Sequence, residues 1–151
     1  MAPSAPLPSV SFYVLEAASA PGRLKLACRI ADKAYRAGQH VLIWHTDEAE
    51  LRALDELLWT FGDDRTFVPH ELVAPLVACE APVLLTCGAV PDGTIDVLIN
   101  LAPEVPACAA QSLRIVEIVD ADPARREAGR ARFKAYRERG IQPTSHNLRT
   151  E

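Results

Sequence analysis

The chain has 151 residues, 49% apolar and 24% charged, with a formal net charge of −4, which suits one globular domain long enough to bury a core of its own. No apolar run approaches the roughly 18 residues that a membrane span needs, and residues 1–10 hold three prolines with no lysine or arginine, unlike the charged front of a secretory signal. No membrane-spanning helix is expected, and the expected location is the cytoplasm.

Residues 1–8 read as a disordered lead-in. Val10–Leu15 (VSFYVL) is β-branched and aromatic, a first strand, and Pro21 and Gly22 break it. Leu24, Leu26, Ala27, Ile30, Ala31, Ala34 and Tyr35 then recur at helical spacing, and Gly38 is placed to end that helix in the left-handed conformation. Val41–Trp44 (VLIW) is continuously apolar, as in a strand buried on both faces. Asp47 followed by Glu50 resembles a capping box for a second helix, whose stripe is Leu51, Leu54, Leu57 and Leu58, running into Trp59. Phe67–Pro69 suits a sheet edge or loop, because Pro69 lacks a backbone donor. Val83–Thr86 and Ile95–Asn100 are two more buried-type strands, and Arg114–Val119 reads as the last one. Asp122 can cap a final helix with Pro123 in its first position and Gly140 at its end.

Strands alternating with helices predict an α/β domain: a three-layer α/β/α, Rossmann-like fold with a mainly parallel central sheet. The expected division is a lead-in over 1–8, one domain over 9–142 and a flexible tail over 143–151. A dinucleotide site would lie at the first strand-to-helix turn, but Glu16–Arg23 (EAASAPGR) holds one glycine and no phosphate-binding loop occurs elsewhere. No nucleotide site and no cofactor are expected. Cys28, Cys79, Cys87 and Cys108 form no CxxC pair and lack a histidine at zinc spacing, so they read as free, mostly buried thiols and no metal site is expected. His45 stands at a strand end, where a catalytic group could lie; no carboxylate or nucleophile pairs with it in the sequence, which favours a polar residue closing the strand.

The charge is unevenly distributed. Arg125, Arg126, Arg130, Arg132, Lys134, Arg137 and Arg139 crowd the last helix against only Glu127 and Glu138, in a chain that is acidic elsewhere. That pattern indicates a local anion site. Arg126, Arg130, Phe133 and Arg137 share one helical face, which suits an acidic peptide with an apolar end, or a stacked base beside a phosphate; alternatively Phe133 and Tyr136 belong to the core and the arginines form a solvated face. Trp59, Phe67 and Val68 make a second patch, either an interface anchor or a core tryptophan with its neighbours.

Several of these segments together resemble a known family. LDELLW (Leu54–Trp59), FVPH (Phe67–His70) and RARFKAYRERG (Arg130–Gly140), with FYVL (Phe12–Leu15) before a helix and VLIW at the second strand, are similar to the chi subunits of the bacterial DNA polymerase III holoenzyme. The likeness runs nearly end to end, in the same order and with similar spacing, outside the proline-rich start and the last few residues. It implies a Rossmann-like sheet without a nucleotide site and a non-catalytic accessory role in the clamp-loader assembly. It also implies two partners: the psi subunit, and the acidic C-terminal tail of single-stranded DNA-binding protein, which ends in a phenylalanine carboxylate. Carried over by position, Arg126, Arg130, Phe133 and Lys134 hold the tail and Val119 lines the same pocket. Trp59, Phe67, Val68 and Pro69 form the surface for psi, or for a helicase that competes with it in some bacteria. Contact with DNA is then indirect, and no membrane is involved. Leu72–Pro82 and Leu101–Gln111 depart from the family's character, are expected to form variable connections and carry no inherited role. The alternatives are a module that binds single-stranded nucleic acid directly through the same helix, and a small α/β enzyme with a site assembled only by folding.

Overall fold

The computed structural model describes residues 7–18, 20–60, 70–73, 83–87 and 93–148. Seven strands and three helices follow in the order β1 (Ser9–Leu15), α1 (Ala20–Arg36), β2 (Val41–His45), α2 (Glu48–Thr60), β3 (His70–Val73), β4 (Val83–Cys87), β5 (Ile95–Asn100), a short 3-10 turn (Ala109–Gln111), β6 (Ser112–Val119), α3 (Pro123–Glu138) and β7 (Thr144–Leu148). The strands form one sheet in the order β3-β4-β2-β5-β6-β1-β7, and every pairing between them is parallel.

Parallel strands need crossovers that cover the sheet, so the central strands are buried on both faces and read as unbroken apolar runs. All five residues of β2 are buried. Val41 and Ile43 face one layer, where Leu24, Ala27, Cys28 and Ala31 of α1 and Leu51, Leu54 and Leu58 of α2 pack. Leu42 and Trp44 face the other, with Leu98, Ile115, Val119 and Tyr136 of α3. The domain thus has the expected three layers, with a core on each side of the sheet. No helix among the described residues is long and apolar enough to cross a membrane.

Local chemistry fixes the helix ends. Asp47 accepts from the Glu50 backbone N–H at 3.1 Å and so caps α2. Asp122 does the same for Arg125 at 3.0 Å at the start of α3, with Pro123 in the first position. Gly38 (φ 80°) and Gly140 (φ 85°) take the left-handed conformation just beyond α1 and α3.

Three features depart from expectation. Helix α1 begins at Ala20, so Pro21 and Gly22 lie inside its first turn, where a missing N–H costs nothing because no carbonyl precedes it in the helix. Within the Leu72–Pro82 segment, Leu72 and Val73 belong to β3, which pairs with β4. Residues 144–148, expected as part of a flexible tail, form β7, which pairs with β1 from Ser11↔Thr144 to Leu15↔Leu148. Its side chains are mostly exposed, so backbone pairing rather than burial orders it, and the sequence TSHNL carries no hydrophobic alternation to announce it.

Candidate functional site

The end of β6 and the length of α3 decide what this face of the molecule can do. Glu117 is fully buried under α3. Its Oε1 accepts from Arg132 Nε at 2.9 Å and its Oε2 from Tyr136 Oη at 2.6 Å, while Asn100 Nδ2 of β5 donates to both oxygens at 3.0 Å. Burial outweighs these partners and pushes the Glu117 carboxyl above its ordinary value. Two turns nearer the helix start, Arg125 donates through Nε at 2.7 Å and Nη2 at 2.6 Å to Asp120, also fully buried, a bidentate pair. Two of the six basic residues of α3 are therefore tied to carboxylates beneath it and hold it to the sheet. The Arg125 guanidinium is pushed to a still higher pKa, chiefly by its hydrogen bonds to Asp120.

Two of the other cations, Arg126 and Arg130, border a cavity of about 280 Å³, lined also by Phe12, Val14, Val119, Gly129, Phe133, Ser145 and Asn147. Four of the five residues expected for a tail site are thus brought together; Lys134 is exposed on the same helix but does not line the cavity. Phe133 is half-buried and tilts against Phe12, ring centroids 5.3 Å apart, while Phe12 also meets Tyr136 edge-on at 6.1 Å. Tyr136 belongs to the core; Phe133 stands at its rim and completes an apolar slot. Arg126 donates through Nε to the Asp120 carbonyl at 3.3 Å, which steadies its guanidinium beside that slot. The floor depends on Gly129: a Cβ there would meet Val119 Cγ2 at 2.9 Å, closer than two carbons can approach. Gly129 therefore lets α3 lie down on β6 and leaves the valine in place.

Gly129→Ala is expected to displace Val119, which is stiff at χ1, narrow the slot and destabilise the fold by about 1–3 kcal/mol. Chemical denaturation measures the stability, and a retained wild-type midpoint would show that α3 simply lifts by a few tenths of an ångström.

The two cavity residues on β7, Ser145 and Asn147, could not be found from sequence, because the strand itself was not legible. On the second patch, Trp59 closes α2 and is 60% exposed, which rules out the core-tryptophan reading; Phe67, Val68 and Pro69 lie outside the described residues.

A wider cavity of about 730 Å³ opens at the carboxyl ends of β2 and β5, between the start of α2 and α3. His45 stands in its wall. Thr46 N–H donates to His45 Nδ1 at 2.9 Å, so the ring proton is on Nε2 and is donated to Glu50 Oε1 at 2.8 Å. Glu50 also pairs with Arg23 at 3.3 Å, and Arg23 Nη2 reaches the Leu101 carbonyl at 3.0 Å. The carboxylate that the sequence did not pair with His45 is thus Glu50, five residues on, and it links the histidine to α1. The buried thiols of Cys28 and Cys108 are pushed up by burial to about 12 and about 11, so both are neutral at physiological pH and poor nucleophiles. Cys79 lies outside the described residues.

Comparison with known proteins shows the family. Residues 7–144 match the family model described as DNA polymerase III chi subunit, HolC. The chain is 41% identical over 139 residues to the DNA polymerase III subunit chi of Pseudomonas aeruginosa, covering 92% of this chain and 96% of that one. It is 30% identical to the chi subunits of Haemophilus influenzae over 141 residues (93% and 97% covered) and Escherichia coli over 138 residues (88% and 93% covered). With the three-layer parallel fold and nearly the whole chain matched, the protein belongs to the DNA polymerase III chi subunit family and to DNA replication.

Proposed function

We propose that this chain is a non-catalytic accessory subunit of the replicative polymerase, joining the clamp-loader assembly, through psi, to the acidic C-terminal tail of single-stranded DNA-binding protein. The observation that carries the reading is the 280 Å³ cavity, where Arg126 and Arg130 border an apolar slot made by Phe12, Val119 and Phe133. A peptide that ends in a phenylalanine carboxylate after aspartates needs that pairing, guanidinium forks for its anions and an apolar recess for its ring. The cavity is small for a drug-sized ligand, for which roughly 300–1,000 Å³ is usual, and fits one terminal side chain. Fluorescence anisotropy with a labelled acidic peptide ending in Ile-Pro-Phe tests it: binding that survives amidation of the C-terminal carboxylate, or that an oligonucleotide displaces as well as free peptide does, would favour direct nucleic-acid binding.

The exposed indole of Trp59 supports a second, separate surface for psi or a competing helicase. Trp59→Ala is expected to weaken that partner by about 2 kcal/mol or more. It should leave the thermal midpoint nearly unchanged, since an exposed side chain contributes little to folding, and tail affinity intact, since the two surfaces lie on different elements. Calorimetry with the partner and circular dichroism on the variant measure the two. A large fall in midpoint would show that the indole supports the fold and would remove it as a separable partner surface.

A further inference from the structure

We propose that the acidic peptide is held as an added strand along the outer edge of β7, with its terminal residue turned into the cavity. This rests on the reading of that cavity as a peptide-tail site. β7 ends the strand order, and no described residue pairs with its far side. In a parallel pair the N–H and C=O of one residue point to the same side, and successive residues alternate. The Leu148 carbonyl accepts from the Glu16 N–H of the β1 side at 3.1 Å. Residues 144, 146 and 148 therefore spend their main-chain groups on β1, and Ser145 and Asn147 turn theirs to the open edge. The side chains of those same two residues line the cavity beside Arg126 and Arg130. Edge and cavity are one continuous surface.

Three further observations favour an acidic, extended occupant. Exposed edges are commonly blunted by lysine, proline or a bulge, and Thr144–Leu148 contains neither residue and pairs with β1 in unbroken register. Neither β7 nor the cavity lining contains a carboxylate, while two arginines flank the path. Strand addition supplies affinity through main-chain hydrogen bonds whatever the side chains, and leaves specificity to a pocket at one end, which matches a single small cavity beside a plain polar edge.

The test uses the whole protein and the peptide ending in Ile-Pro-Phe. Saturating peptide should slow amide hydrogen exchange at Ser145 and Asn147 and leave His146, whose N–H already serves β1, unchanged. Ser145→Pro removes an outward donor while sparing the β1 pairing, as proline is tolerated where the N–H faces solvent; it should weaken binding by about three- to tenfold, and Ser145→Ala should bind nearly as wild type. As a check independent of how the variant folds, peptides N-methylated at alternate backbone positions should lose affinity in one phase of alternation only. Peptide that binds in an Arg130-dependent way, with exchange at Ser145 and Asn147 unchanged or with both methylation phases equally tolerated, overturns strand addition and leaves the tail site standing. No binding by the wild-type protein overturns both.

Discussion

Arg130→Glu is expected to abolish binding of an acidic peptide that ends in a phenylalanine carboxylate, and Arg130→Ala to weaken it about tenfold or more. Arg130 lies one turn before Phe133, and both line the cavity with Val119, so the guanidinium can meet a carboxylate whose ring occupies the slot. A charge-assisted hydrogen bond formed there is worth about 1.5–3 kcal/mol. Unlike Arg125 and Arg132, which are bound to Asp120 and Glu117, Arg130 is exposed on α3 and pairs with no buried carboxylate among the described residues. Affinity should also fall as salt rises, because the Debye length is only ~8 Å at physiological strength. Amidating the peptide's C-terminus should mimic Arg130→Ala, and the two changes together should cost less than their sum. Anisotropy run as a double-mutant cycle measures that coupling. Full additivity would separate Arg130 from the terminal carboxylate, and wild-type affinity in Arg130→Ala would remove the helix from the site.

The largest effect on stability is expected from Glu117→Ala, a loss of about 3–5 kcal/mol and of roughly 10 °C in thermal midpoint. Truncation leaves the Arg132 guanidinium, 5% exposed, without its counter-charge and strands the Tyr136 hydroxyl beside an empty space, while the Asn100 amide keeps the Glu104 carbonyl at 3.1 Å. Arg132 Nη1 would keep only the Pro103 carbonyl, at 3.0 Å. The pair's main role is positional: it sets α3 at one height and angle on β6, and with it Arg126, Arg130 and Phe133. Peptide affinity should therefore fall along with stability. The carboxyl also couples the fold to pH. Its folded pKa is raised by burial, so the stability it contributes is full below the unfolded value and is lost as pH rises through the folded one. Glu117→Gln should flatten that slope at a smaller cost in stability. Urea unfolding of both variants across pH decides it, and a Glu117→Ala midpoint within about 1 kcal/mol of wild type would show that the network is replaceable.

Much of the fold was legible because the forces that build it are local or apolar. The runs VLIW and IDVLIN declare strands covered on both faces, the leucines of α2 declare its buried stripe, and Asp122, Pro123 and Gly140 mark both ends of α3. The cavity beside α3 was legible only in its helical residues and Val119. Its other wall, Ser145 and Asn147, comes from a strand that exists because β1 offers it hydrogen bonds, and a backbone partnership across more than a hundred residues leaves no pattern in TSHNL. The charge on α3 was legible as a total and not in its division. Arg125 and Arg132 look in sequence like Arg126 and Arg130, and only the buried Asp120 and Glu117 opposite them show which arginines hold the helix down and which remain for a ligand.

The pairing of β1 carries a consequence for synthesis. Its neighbours in the sheet are β6 and β7, with Ser9 opposite Arg114, so β1, once it has left the ribosome, waits for partners encoded about a hundred residues later. At roughly 5–20 residues per second that wait lasts on the order of 5–20 s, during which VSFYVL is an apolar, β-prone segment without its sheet. Contacts so distant along the chain also slow the final closure. The nascent chain is therefore expected to depend on holding chaperones at its N-terminal end, and mutations that make β1 more apolar should lower soluble yield well before they alter the stability of the finished protein.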